Sequence, residues 1–229
     1  MKIIISTSNF YRHILPISTY LFNCFWDNKQ RVEIVGYDAP PYNLPSNFHF
    51  VSLGKQSEDK QNFTRDLRKY IAKQDKFFIW IFDDTFLRAP VDFKSLNFLK
   101  SLTEKIPDVG RINLSREGMK QDHSLLDNID GYDVYQNDKF SIYRLSTQIS
   151  IWNKHFALQY MTEDLSPWEF ECQADHAVDE FKILGLDQDA PVKHNEGVRK
   201  HNLYDYNFDG IDQSIIDEMN NLGLITKHP

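Results

Sequence analysis

The stretch Phe77 to Asp84, FFIWIFDD, constrains this chain more than any other. Its apolar run, Phe77 to Phe82, is made of aromatic and β-branched residues and predicts a strand buried on both faces. The run stops abruptly at two carboxylates. Open α/β sheets take their ligands at the carboxyl ends of such strands. Adjacent acids at that position repel each other unless a cation or a donor accompanies them, so a functional site is expected there. The bland alternative is a core strand that ends at a polar turn.

The flanking sequence predicts an α/β domain around this strand. Lys2 to Ser6 is a short β-branched strand, followed by a polar turn at Thr7, Ser8 and Asn9. His13 to Trp26 carries Ile14, Ile17, Leu21, Cys24 and Phe25 at helical spacing, and Arg31 to Tyr37 is a second strand ending at Asp38. Strand, helix and strand with ligand-capable ends open a nucleotide-binding unit. Pro40, Pro41 and Pro45 make Ala39 to Ser46 a loop, and Phe48 to Leu53 reads as a third strand. Glu58 to Lys73 is an amphipathic helix that buries Phe63, Leu67, Tyr70 and Ile71.

Beyond the acids, Asp92 is the expected N-cap of a helix reaching Ile106, and Gly110 to Ser115 is a strand. Arg116 to Asp138 reads as polar and irregular, and Phe140 to Trp152 as two strands or one bent one. A helix follows from Asn153 or Lys154 to about Met161. The next one starts at Ser166, with Pro167 in its first turn and Glu169 placed for a capping box, and runs to about Phe181. Lys182 to Leu186 is a last strand, Val192 to Tyr204 a polar loop, and Asp212 to Leu222 an amphipathic helix. No repeat or linker divides the sequence, so one domain over 1–229 is expected.

Composition excludes some functions. With 229 residues and 41% hydrophobic content the chain can bury a core. Its net charge of −7 argues against a general nucleic-acid binder, which needs a basic surface. Cys24 and Cys172 have no ligand spacing and suggest reduced thiols. No segment is apolar and long enough to span a bilayer and no signal peptide is evident, so a cytoplasmic location is expected. The absence of a GxGxxG or P-loop pattern argues against a dinucleotide enzyme or an NTPase. A phosphatase-type DxDx[TV] motif fails because Thr85 stands where its second Asp is needed.

Taken in order, the acids ending FFIWIFDD, the helix start SPWEFE (Ser166 to Glu171) and the basic loop HNEGVRK (His194 to Lys200) resemble a GT-A fold glycosyltransferase. The resemblance is to the small bacterial, phage or viral enzymes with a PW-x-FE element. It implies a mixed, mostly parallel central sheet flanked by helices, with 1–88 as the nucleotide-binding part and 89–229 as the acceptor-side part. It also implies a sugar-nucleotide donor, UDP-linked in this reading, a glycan or other hydroxyl acceptor, and a divalent cation, Mn²⁺ or Mg²⁺. A hard cation on carboxylates stabilises a diphosphate leaving group as its charge develops.

By this resemblance Asp84 is the metal ligand and Asp83 contacts ribose or donor sugar. Phe82 stands where the family's motif has its first Asp. Neighbouring side chains on a strand point to opposite faces, which also separates the two acids. The W-x-x-E arrangement makes Glu171 the base that deprotonates the acceptor, with Glu169 second, and implies inversion. Trp168 stacks on an acceptor sugar or packs in the core, and Gln148 and Trp152 line the same pocket. His194 completes the metal site, Arg199 or Lys200 meets the diphosphate, and Thr7, Ser8, Asn9 and Asp38 hold the base and ribose. Two rivals stand beside this reading. One is a non-catalytic carbohydrate- or nucleotide-binding protein, favoured by Phe82; the other is a metal-dependent nucleotidyltransferase or nucleotide-sugar hydrolase.

Overall fold

The apolar run at Phe77 does form a strand, β4 (Phe77–Phe82), whose four central residues are buried. The structure, a computed structural model, describes residues 1–56, 62–119, 122–141, 144–162, 164–172, 180–199 and 202–225. The chain divides into two compact units. One comprises Met1–Ile3, Ser57–Ile81 and Asp92–Pro191, and the other Ile4–Gln56, Phe82–Val91 and Val192–Pro229.

The first unit is built on a mixed sheet. Beside β4 lie β9 (Ser150–Asn153), β6 (Val109–Asn113), β10 (Lys182–Gly185), β8 (Tyr132–Asn137) and β7 (His123–Ile129), in that order. β9 is antiparallel to both β4 and β6, whereas β10 is parallel to β6 and antiparallel to β8. The helices are α2 (Phe63–Ile71), α3 (Phe93–Lys105), α4 (Lys154–Tyr160) and α5 (Pro167–Glu171). Asp92 caps α3 as expected, its carboxylate accepting from the N–H groups of Lys94 and Ser95. The core centres on the indoles of Trp80 and Trp152, 5.2 Å apart edge to face. Phe63 stacks on Trp80, and Phe170 lies 6.2 Å from both indoles. Phe170 is fully buried and anchors a helix of only five residues, a burial that stabilises by about 2 kcal/mol.

The second unit carries β1 (Ile3–Ser6), β2 (Val32–Gly36) and β3 (Phe48–Ser52), in the order β3-β2-β1, with β2 and β3 parallel. Between β1 and β2 the expected helix is present as a 3-10 turn (Arg12–Ile14), α1 (Leu15–Phe22) and a π turn (Asn23–Asp27). The π turn keeps Phe25 and Trp26 buried, with Trp26 stacked on Phe22 at 5.3 Å. β5 (Thr85–Leu87) pairs antiparallel with β11 (His194–Glu196), and β12 (Val198–Arg199) with β13 (Asn202–Tyr206). α6 (Gln213–Asn221) follows, capped by Asp212.

Three expectations are corrected. Arg116 to Asp138 is not irregular: β7 and β8 form a hairpin there, turning at Asp130 (φ 52°) and Gly131 (φ 84°), the Asp-Gly pair that a two-residue mirror-image turn favours. β7 is exposed along nearly its whole length, so it has no apolar alternation to read. Among the described residues of Phe140 to Trp152, only those from Ser150 are strand. Before them Ser141 turns back to bond the Asp138 carbonyl, and the Arg144 guanidinium holds the Phe181 carbonyl, so side chains and a turn take the place of a ladder. Val192 to Tyr204 is no polar loop, because distant Leu87 and Phe86 give its start a ladder partner. The expected course of the helix after Cys172 and the start of the helix before Asn62 lie partly outside the described residues.

Candidate functional site

Asp83 and Asp84 do not continue β4; they form the turn between β4 and β5, so strand alternation does not decide how their side chains part. What separates them is burial. Asp83 is 4% exposed, its N–H donates to the Ser6 carbonyl at 3.1 Å, and its carboxylate accepts from the Thr7 hydroxyl at 2.5 Å. Burial, and then the Asp84 charge beside it, push the Asp83 carboxyl well above the usual aspartate range, against the opposing pull of the Thr7 hydroxyl. Asp84 is half-buried.

Two tyrosines that the sequence did not single out border this turn. Burial and then Asp84 and Asp83 raise the Tyr11 phenol. Tyr42 is also raised by burial, with Arg12 opposing and Asp83 adding, and its hydroxyl donates to the Arg12 carbonyl. Tyr42 belongs to the proline loop, where only the turn residues give a local signal. An aromatic there becomes informative once the chain brings it to the acids.

The turns after β1 and β2 are clasped together. Asn9 Nδ2 donates to Asp38 Oδ2 at 2.7 Å, the Asp38 N–H returns a bond to Asn9 Oδ1 at 3.0 Å, and the Arg12 guanidinium lies 3.9 Å from Asp38. The Ser8 carbonyl receives the N–H groups of Tyr11 and Arg12. Thus Thr7, Ser8, Asn9, Asp38, Asp83 and Asp84 all belong to the second unit, at the carboxyl ends of β1, β2 and β4.

β11 runs back toward the acid turn, from His194 opposite Leu87 to Glu196 opposite Thr85. Gly197 N–H donates to the Asp84 carbonyl at 2.5 Å, and a Cβ on Gly197 would stand 2.8 Å from that oxygen and 2.6 Å from the Phe86 ring, so a glycine is required for this approach. His194 pairs with Leu87, at the other end of β5, and its side chain is buried. Three residues of extended chain, about 10 Å, separate Leu87 from Asp84. The structure therefore does not bring His194 to Asp84, and among the described residues no three His, Cys, Asp or Glu side chains are grouped to hold a metal ion. Among the described residues the acid turn therefore offers no all-protein cage for a cation. Arg199 lies in β12, its side chain not described, and Lys200 is outside the described residues.

The residues expected on the acceptor side fall in the first unit. Glu171 ends α5, and its Oε1 accepts from both the N–H and the hydroxyl of Thr147, at 2.5 and 2.6 Å. Buried Arg111, stacked on the Trp152 ring at 5.4 Å, has its guanidinium pulled down to about 9, chiefly by burial; Glu171 opposes that shift and Arg144 adds to it. Glu169 completes the capping box, accepting from the Ser166 N–H at 2.8 Å and hydroxyl at 2.6 Å, and these bonds hold its carboxyl below the usual range. A carboxylate so engaged is a weak base. Trp168 is 62% exposed, which removes core packing as its role. Trp152 is the clear correction: it is fully buried under Trp80, Phe156 and Phe170 and has no surface for an acceptor. Gln148 is half-buried, its N–H on Ser146 Oγ and its carbonyl accepting from Ser150 Oγ.

No protein-family model matches the chain, and no curated protein sequence matches it. Solved structures do. Residues 1–349 of TarS from S. aureus superpose with a TM-score of 0.50 at 14% identity, over 84% of this chain and 60% of that one. A cytidylyltransferase from Leptospira borgpetersenii serovar Hardjo-bovis gives 0.48 at 9% identity, covering 100% and 97%. An active-site mutant of LgtC gives 0.46 at 14%, covering 100% and 98%. The fold is α/β and GT-A-like, a mixed central sheet flanked by helices.

Proposed function

We propose that this chain is a metal-dependent glycosyltransferase that moves a sugar from a nucleotide-diphosphate donor, UDP-linked in this reading, to a hydroxyl on a glycan or similar acceptor. The observation that supports it best is the Asp83–Asp84 turn. Burial, and then the charge of Asp84, push the Asp83 carboxyl toward its protonated form at the carboxyl end of a core strand. Asp84 would hold a Mn²⁺ or Mg²⁺ ion, which supplies charge stabilisation to the departing diphosphate. Asp83, oriented by Thr7, faces ribose or sugar, while Asn9 and Asp38 meet the nucleoside and Arg199 or Lys200 the diphosphate. Glu171 takes the acceptor proton, with Thr147 orienting its carboxylate, and inversion follows. Exposed Trp168 offers a face on which an acceptor sugar can stack. Calorimetry with a panel of nucleotide sugars, with and without Mn²⁺, tests this. Metal-dependent binding of a donor supports the reading, and binding of none overturns it.

One observation favours a second reading, a nucleotidyltransferase or nucleotide-sugar hydrolase. Thr147 occupies Glu171 Oε1 twice and buried Arg111 feels the Glu171 charge, which is also how a purely structural carboxylate is held. Such an enzyme would keep the acids without needing Glu171. Nucleotidyl transfer or nucleotide-sugar hydrolysis that survives in Glu171→Gln, with no sugar transfer by the unaltered chain, would favour this alternative.

A further inference from the structure

One peptide unit stands between Arg111 and Glu171. The Ser146 carbonyl accepts from Arg111 Nη1, and the N–H of the same unit, carried by Thr147, donates to Glu171 Oε1 at 2.5 Å. In a trans peptide the C=O and the N–H point in opposite directions, so the guanidinium and the carboxylate lie on opposite sides of the unit. Among the described residues Arg111 makes no ion pair, and the Ser146 carbonyl is its hydrogen-bond acceptor while its buried Nε has none. Yet the Glu171 charge favours the charged guanidinium, so the two groups feel each other across the peptide. The Trp152 ring holds the guanidinium from one face. On the carboxylate, the Thr147 hydroxyl adds a second bond to Oε1 at 2.6 Å, and among the described residues Oε2 accepts none.

We propose that Arg111 is a positioning residue for Glu171, fixing the Ser146–Thr147 peptide so that Oε1 is held and Oε2 is left as the oxygen that takes the acceptor proton. This role rests on Glu171 acting as the base of sugar transfer. Two hydrogen bonds on one peptide unit strengthen each other and fix its plane. Without the guanidinium the plane is free to turn, the Thr147 N–H leaves Oε1, and the carboxylate loses its single orientation. In the step itself the acceptor O–H bond breaks and its proton passes to Oε2. The acceptor oxygen bonds the anomeric carbon as the nucleoside diphosphate leaves with the electron pair of the bond it shared with the sugar. Arg111, 1% exposed, touches none of the reacting atoms.

The Thr147 amide proton reads this arrangement without any substrate. A bond to a carboxylate shifts that proton downfield in NMR spectra, and Glu171→Gln should move it upfield. Arg111→Met, apolar and unable to donate, should move it upfield too, while Arg111→Lys, which keeps a donor for the Ser146 carbonyl, should leave it downfield. In transfer assays Arg111→Met should lower kcat about tenfold, the worth of one hydrogen bond to a charged group, with the donor KM unchanged. Arg111→Lys should restore most of that loss. A Thr147 proton that moves in Glu171→Gln but not in Arg111→Met overturns the role of Arg111. So does a loss in Arg111→Met that falls on KM alone, or a folded Arg111→Lys chain that has lost both the downfield proton and kcat. Sugar transfer that survives in Glu171→Gln instead removes the base, and the positioning role with it, even where the amide shifts are as expected.

Discussion

At Asp83 one buried side chain carries a stability cost that depends on pH. Its carboxyl is raised above the unfolded value, so the native state holds the proton more tightly than the unfolded chain. The associated stability is complete below the usual aspartate range and is lost as pH rises through the raised value. Asp83→Asn removes that loss, so its melting temperature should exceed that of the unaltered protein by more at pH 8 than at pH 4. A difference of at least about 2–4 °C is expected, the shift that 1 kcal/mol produces in a chain of this size. Equal gains at both pH values would show that burial of this carboxyl is not the cause. Asp84→Asn should instead abolish metal-dependent donor binding in calorimetry, and Glu171→Gln should leave that binding intact while stopping transfer. At this scale the sequence showed the acids but not Tyr11 and Tyr42 beside them, because nothing local marks a tyrosine that meets a carboxylate only through folding.

Elements were legible wherever the signal was local. The β4 run, the Asp92 cap and the Ser166 capping box were all predicted from neighbouring residues, and all are present. The β7–β8 hairpin and the β5–β11 pair were not, since exposed strands and long-range ladders leave no periodicity. The hairpin turn allows a sharp test: Gly131 has φ 84°, so Gly131→Val should cost about 1–2 kcal/mol and raise amide exchange along β7 and β8. The Gly197 approach allows another. Gly197→Ala forces a methyl against the Asp84 carbonyl and the Phe86 ring, and chemical denaturation should show a loss of about 1–3 kcal/mol. Unchanged stability would mean that the chain at Gly197 shifts freely.

For the whole molecule, a donor that binds only the folded chain raises its melting temperature by mass action. At a hundred times its dissociation constant that is about 2.7 kcal/mol, or roughly 5–10 °C, and the shift should require a divalent ion and vanish in Asp84→Asn. The sequence by itself determined the α/β class, the buried strand, the acids at its end and the caps of its helices. Each of these follows from hydrophobic pattern and from bonds between residues a few positions apart. Only the tertiary structure decided that Asp83 is buried on Thr7, that Trp152 belongs to the core and not to a pocket, and that His194 stands a strand's length from Asp84. Burial and long-range hydrogen bonds depend on which distant segments meet. In FFIWIFDD the pattern foretold where the chain would present its acids, and the fold decided which of them would be taken out of water.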